Sequence, residues 1–243
     1  MPKVLNLQEA REQKEQWKNV VFEEFYTTMT NENEKFPCVF GTAGVKNQQV
    51  RYYFSNSQAR DPDIYPLAIV LEEYVKNSRT YGKNTSLVVF FKPDSKIRSI
   101  QNYERDFWSI LQRLNYIDSS SWPKEISEDP EHYLWEFSFS EEPIFVVCNN
   151  PAHKLRRSRY AGTFMITLQP RWVFEFLQKP AGRKSKKIVR EILKSYDDID
   201  VHPELGTYGD KKNKEWLQYY LSDTNETNNK KCPFQLKEKQ HDR

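Results

Sequence analysis

Three short runs constrain this chain more than anything else in it: "SLVVFF" (86–91), "PIFVVC" (143–148) and "GTFMITLQP" (162–170). Each carries an apolar stretch too short for a helix and bounded by polar or turn-forming residues, the pattern of a strand covered on both faces. "QVRYYFS" (49–55) and "YLWEFSF" (133–139), rich in aromatic and β-branched residues, are further strand candidates. The four-residue "SEEP" between the last of these and "PIFVVC" has the length of a hairpin connection. A sheet of this kind needs helices to cover it, and the chain supplies them.

Residues 6–30 read as a long first helix within an N-terminal stretch 1–35, with Trp17, Val20, Val21, Phe25 and Tyr26 on its apolar side. "FPCVFGTAG" (36–44) interrupts the pattern with Pro37, Gly41 and Gly44. A second helix should begin after Asp63, its stripe formed by Ile64, Leu67, Ala68, Leu71, Tyr74 and Val75. A third, "SIQNYERDFWSILQRL", places Tyr103, Phe107, Ile110, Leu111 and Leu114 at helical spacing, with Trp108 beside them. Residues 118–132 read as a surface loop, "RWVFEFLQK" (171–179) as a short helix and "SKKIVREILKSY" (185–196) as a basic amphipathic one. "EWLQYYLSD" (215–223) should be a final short helix before a polar tail, 224–243. With no internal repeat and no clear linker, the economical reading of residues 1–243 is a single α+β domain, a mainly antiparallel sheet packed with several helices.

A formal net charge of +3, set against 37 basic and 34 acidic residues, gives no global field that recommends nucleic acid as a partner. In the basic helix, Ile188, Ile192 and Leu193 indicate packing on the domain with Lys and Arg facing water. No run reaches the roughly 20 apolar residues of a membrane span, and "MPKVLNLQEAREQKEQ" is polar where a signal peptide would be apolar. Three cysteines without paired spacing (Cys38, Cys148 and Cys232) fit a reducing compartment, so a cytoplasmic protein is expected. The N-x-S/T matches at Asn84 and Asn225 then carry no meaning.

No phosphate-binding glycine loop, nucleophile elbow or C-x-x-C is present. A zinc or non-heme iron site would require His132, His153 and His202 to converge from distant segments. What remains is "NNPAHKLRRSRYAG" (149–162), which joins two of the apolar runs and holds His153, Arg156, Arg157 and Arg159. A neutral imidazole can ligate iron, and guanidinium forks suit carboxylates. Together they are the donor set that heme requires, within walls that "FVV", "FMITL" and Trp172 could provide. The same composition also describes a solvated basic turn. Cys38 is an alternative thiolate ligand, although a buried free cysteine more often packs as a small hydrophobe. His202, in "HPELGTYG", reads first as a turn residue, Trp108 and Trp135 as core anchors, and His132 and His241 as surface residues.

The segment "NNPAHKLRRSRYAGTFMITLQPRWVFE" resembles the central motif of the YqcI/YcgG family, in which a histidine segment leads into R-x-S-R, an apolar strand, a Q/N-P element and "FE". "FPCVFG", "YERDFWSILQRL", "WEFSFSEEPIFVVCNN", "HPELGTYGD", "EWLQYYLSD" and the late "CPF" resemble further family blocks in the same order, from Phe36 to Phe234. Lys154 stands where a proline is common after the histidine. The resemblance implies a heme-dependent monooxygenase with heme b (iron protoporphyrin IX), hydroxylating a guanidine nitrogen of arginine or an arginine-like small molecule. O2 and an external electron donor would be the other participants. By the same resemblance His153 is the axial ligand, and Arg156 and Arg159, with Arg157 beside them, are contacts for the propionates. A guanidinium, protonated below pH ~12, calls for a carboxylate, and Glu104, Asp106, Glu136 and Glu175 lie in or beside the matched blocks. Glu175 is preferred for sharing a block with the histidine loop. The alternative is a heme-binding or gas-sensing protein without turnover. A flat porphyrin slot can also be shared across a homodimer.

Overall fold

Alternation along the strands divides this molecule into two unequal halves. The computed structural model describes residues 1–175, 180–207, 209–227 and 231–237. Its helices are α1 (Leu7–Arg11), α2 (Gln16–Thr30), α3 (Val39–Lys46), α4 (Ile64–Tyr81), α5 (Ile100–Ile117) and α6 (Pro180–Tyr196). Its strands are β1 (Arg51–Ser55), β2 (Leu87–Phe91), β3 (Ser138–Phe139), β4 (Glu142–Asn149) and β5 (Met165–Pro170), in the sheet order β1-β2-β5-β4-β3. The fold is α+β, as expected. The sheet, however, is mixed: β1 runs parallel to β2, and only the other three pairs are antiparallel. The helical crossover through α4 permits the parallel pair, because a chain that returns on itself through a helix can re-enter the sheet in its original direction.

One face of the sheet is packed solid. Leu87, Val89, Phe91, Ile144, Val146, Cys148, Ile166 and Leu168 meet the stripes of α4 and α5 in one core, with Tyr219, Tyr220 and Phe234. Each such side chain contributes about 2 kcal/mol by leaving water. Ser99 starts α5 by accepting the Asn102 backbone N–H at 3.2 Å. The polar stretch after residue 224 is thus not detached throughout, since Phe234 packs on Trp122, Trp135 and Phe137. Trp108 and Trp135 are core residues, as their spacing suggested.

The opposite face, with Val88, Phe90 and Met165, belongs to a smaller core shared with α1, α2 and α3. Here the sequence reading needs four corrections. The first helix is two, α1 and α2, because residues 12–15 are all polar and nothing binds that turn to the core. Val20 is exposed, while Phe22 is buried in its place. The Pro/Gly segment forms α3, with Cys38 as its N-cap; Gly44 is required there because a Cβ would strike the Asn84 carbonyl. Ile188 of α6 is exposed rather than packed.

Other elements are shorter than expected. The β3–β4 turn uses two residues, Ser140 and Glu141, both at positive φ (51° and 61°), the type I′ geometry that matches strand twist. Residues 171–174 and 215–218 are 3-10 turns, and residues 176–179 of the predicted short helix lie outside the described residues. No described helix is long and apolar enough to cross a membrane.

Candidate functional site

The second face of the sheet is only partly covered, and what is left over is a cavity of about 860 Å³, within the size range of small-molecule and cofactor sites. Its floor follows the two-residue strand period: Val88 and Phe90 of β2, Met165, Thr167 and Gln169 of β5, Phe145, Val147 and Asn149 of β4. α2 supplies Val21, Glu24, Phe25, Thr28 and Met29, and α6 supplies Val189, Leu193 and Tyr196. A further wall is the loop 153–163, with His153, Arg156, Arg157 and Arg159 all lining the same space.

This loop is not a solvated turn. His153 is 3% exposed, Arg156 1% and Arg159 8%. A carboxylate anchors it: Asp223 accepts the backbone N–H groups of Lys154, Leu155 and Arg156 at 3.1, 3.0 and 2.9 Å. Burial works against ionisation of Asp223, but these three bonds win and hold its carboxyl below the ordinary range. Asp197 fixes the next turn by accepting Ser158 N–H at 2.7 Å and the Ser158 hydroxyl at 2.9 Å. Asn150 completes the loop, donating its N–H to the Arg159 carbonyl at 3.0 Å.

The imidazole of His153 has its Nδ1 3.5 Å from Asp223 Oδ1, without a well-formed hydrogen bond. Burial, reinforced by Arg159 and Arg156, lowers its pKa to about 4 despite the carboxylate, so the ring is neutral at pH 7. The ring is therefore neutral while its Nδ1 side faces a carboxylate.

The three arginines have different partners. Arg156 donates through Nε to the Ser222 carbonyl at 2.9 Å and through Nη2 to Asn225 Oδ1 at 2.6 Å, so most of its fork holds the 222–225 segment. Arg157 pairs with Glu34 at 2.5 Å and lies over the Tyr196 ring, closing the rim between the loop and the segment after α2. Arg159 donates Nη2 to the Gln218 carbonyl at 3.1 Å, while its buried Nη1 has no partner among the described residues. Burial draws its pKa down to about 10, still high enough to keep it charged. A buried cationic donor without a partner favours any anion brought near it.

Glu175 is exposed at the end of its 3-10 turn and is not among the lining residues. Nor do Glu104, Asp106 or Glu136 line the cavity. Asp106 pairs with Arg98, and Glu136 shares Arg171 with Glu215 in the solid half. Cys38 does line it, its Sγ accepting the Gly41 N–H at 3.3 Å and its thiol held protonated by burial. Cys148 is in the core, and Cys232 packs against it. His202 is buried close to the site, with Nε2 3.5 Å from the Ser222 hydroxyl, while His132 is exposed and His241 lies outside the described residues. Among the described residues no three His, Cys, Asp or Glu side chains converge on a metal position.

Sequence reasoning missed Glu24. It reads as one more acid on a charged helix, yet it stands on the cavity wall with Val21 and Thr28, one turn to either side. That position on the apolar stripe was the available signal.

Comparison with known proteins agrees with this arrangement of blocks. Bacillus subtilis (strain 168) YcgG is 41% identical, covering 94% of this chain and 92% of its own length. YqcI of the same organism is 37% identical, covering 94% and 92%. A Streptomyces lavendulae protein, named "Putative N(omega)-hydroxy-L-arginine synthase DcsA", is 32% identical over 90% of this chain and 84% of its own. No solved structure matches the chain. The profile of the YqcI/YcgG family covers residues 23–235, and the chain belongs to that family.

Proposed function

We propose that the cavity binds heme b through His153 and that the chain is an N-monooxygenase acting on a guanidine nitrogen of arginine or a related small molecule. The observation that carries this reading is the buried, neutral His153 on the wall of an apolar cavity, its Nδ1 side facing Asp223. The residues present fit the group. His153 would ligate the iron, Arg159 would supply the positive charge for a propionate, and Val88, Phe90, Met165 and Val147 would border the macrocycle. Arg156 would act through position, holding the loop against the 222–225 segment. Bound heme would supply oxygen activation, one oxygen atom of O2 entering an N–H bond and the other leaving as water, with two electrons from an external donor and two protons from solvent.

The chain's own contribution is orientation and exclusion. Asp223 fixes the imidazole loop, and the apolar floor keeps water from the reacting nitrogen. The DcsA relative's name supports the guanidine substrate class.

Titration with hemin tests the cofactor, and product analysis tests the reaction. Wild type should give a saturable Soret band that His153→Ala loses or shifts strongly. With a reductant and O2, L-arginine should gain one oxygen atom by mass. A Soret band without substrate-dependent product would indicate heme binding without turnover; no saturable band would overturn the heme reading altogether.

A further inference from the structure

Among the described residues, three carboxylates line the cavity: Glu24, Glu34 and Asp197. Glu34 is neutralised by Arg157. Asp197 is satisfied by Ser158 and faces Arg156 at 3.8 Å. Glu24 differs from both. Its support is the backbone N–H of Gly162, against which the carboxylate packs so closely that a Cβ at position 162 would land on it. Among the described residues, no cation is paired with it.

An anion on a mostly apolar wall is costly unless a partner compensates it. The neutral residue Gln would fill the same volume without that cost. The chain instead presents a carboxylate with no cationic partner among the described residues to a space that admits a small molecule. We propose that Glu24 is the receptor for the substrate's cationic end, accepting a guanidinium fork within the cavity. This inference rests on the guanidine reading above and assigns that substrate its position. A planar guanidinium offers parallel N–H donors that match both carboxylate oxygens. Gly162 restricts the carboxylate from behind, leaving its remaining acceptor capacity to the ligand. Desolvation raises the Glu24 pKa, as expected for an anion awaiting its counter-charge.

Isothermal titration of the hemin-loaded protein tests the assignment, using L-arginine, agmatine (guanidinium without the α-carboxylate) and L-citrulline (a neutral urea of the same shape). Wild type should bind arginine and agmatine and bind citrulline at least about 30-fold more weakly, the loss expected when one member of a buried charge pair is removed. Glu24→Gln should bind arginine at least about 30-fold more weakly than wild type while keeping the wild-type Soret band and a melting temperature no lower than wild type. Wild-type arginine affinity in Glu24→Gln would overturn the assignment while leaving the guanidine reading intact. So would equal affinity of wild type for arginine and citrulline, a result that requires no variant to fold. Failure of wild type to bind either guanidine would instead remove the substrate reading, and this assignment with it.

Discussion

Val146 and Val147 are neighbours in β4 and face two different environments. Val146 enters the solid core with α4 and α5, and Val147 looks into the cavity. The same division runs through Leu87 and Val88 in β2, and through Ile166 and Thr167 in β5. One backbone thus serves two ends. Its packed face supplies stability, and its open face gives up packing to leave a space bordered by buried charges. The comparison teaches that conservative-looking changes one residue apart should have unrelated consequences.

The largest expected effect breaks the solid half at its charged edge. Arg171 donates to both Glu136 and Glu215, and Glu136 is fully buried. Arg171→Ala removes the cation from both carboxylates, of which Glu215 keeps Asn213 and Gln218 as donors, and should cost about 3–5 kcal/mol of unfolding free energy, measured by urea denaturation.

Next comes the pair of valines. Val146→Ala should destabilise by about 2 kcal/mol, from two lost methyl groups plus the space they leave. Val147→Ala should cost less than about 1 kcal/mol, because its side chain already borders open volume. Equal losses in the two variants would contradict the division into a packed and an open face.

The last comparison concerns acid. Burial, together with Arg156 and Arg159, lowers the His202 pKa from 6.5 to about 4. Between those values the unfolded chain binds the extra proton, so this stability is full above pH 6.5 and is lost as pH falls toward 4. Glu136 acts with the opposite sign: burial raises its pKa from 4.5 to about 7 against the pull of Arg171, so its contribution falls as pH rises through that interval. Melting temperature followed from pH 7 to pH 4 should therefore decline less in His202→Asn than in wild type and more steeply in Glu136→Gln.

Much of this architecture was legible in the chain. The apolar runs are β2, β4 and β5, and Asp63 and Ser99 mark the starts of α4 and α5. The parallel pairing of β1 with β2 was also present, as a strand, a helix and a strand in succession, but strand direction is set by the crossover rather than by the strand's own residues. α3 was hidden because Gly41 and Gly44 read as breakers, whereas Gly44 answers to the close approach of Asn84. The two-residue turn at Ser140–Glu141 lacks the glycine that usually announces it; the Asp118 carboxylate accepts the Ser140 N–H at 2.8 Å and steadies it.

The histidine loop could be singled out in the chain, but its partnerships could not. His153 and the three arginines do share one cavity wall. Which guanidinium nitrogens are spent, and which remains free, depends on Ser222, Asn225, Gln218 and Glu34, all far away in sequence. Glu24 escaped because a glutamate on a helix is ordinary until the tertiary structure shows what lies beside it.

Asp223, the anchor of the histidine loop, has a consequence for synthesis. All five strands lie before residue 171 and leave the ribosome before the aspartate that grips residues 154–156. A nascent chain can pair its sheet early, but His153 acquires its fixed orientation only when the 222–225 segment docks. The site is thereby completed last, and a chain interrupted before that segment cannot assemble it.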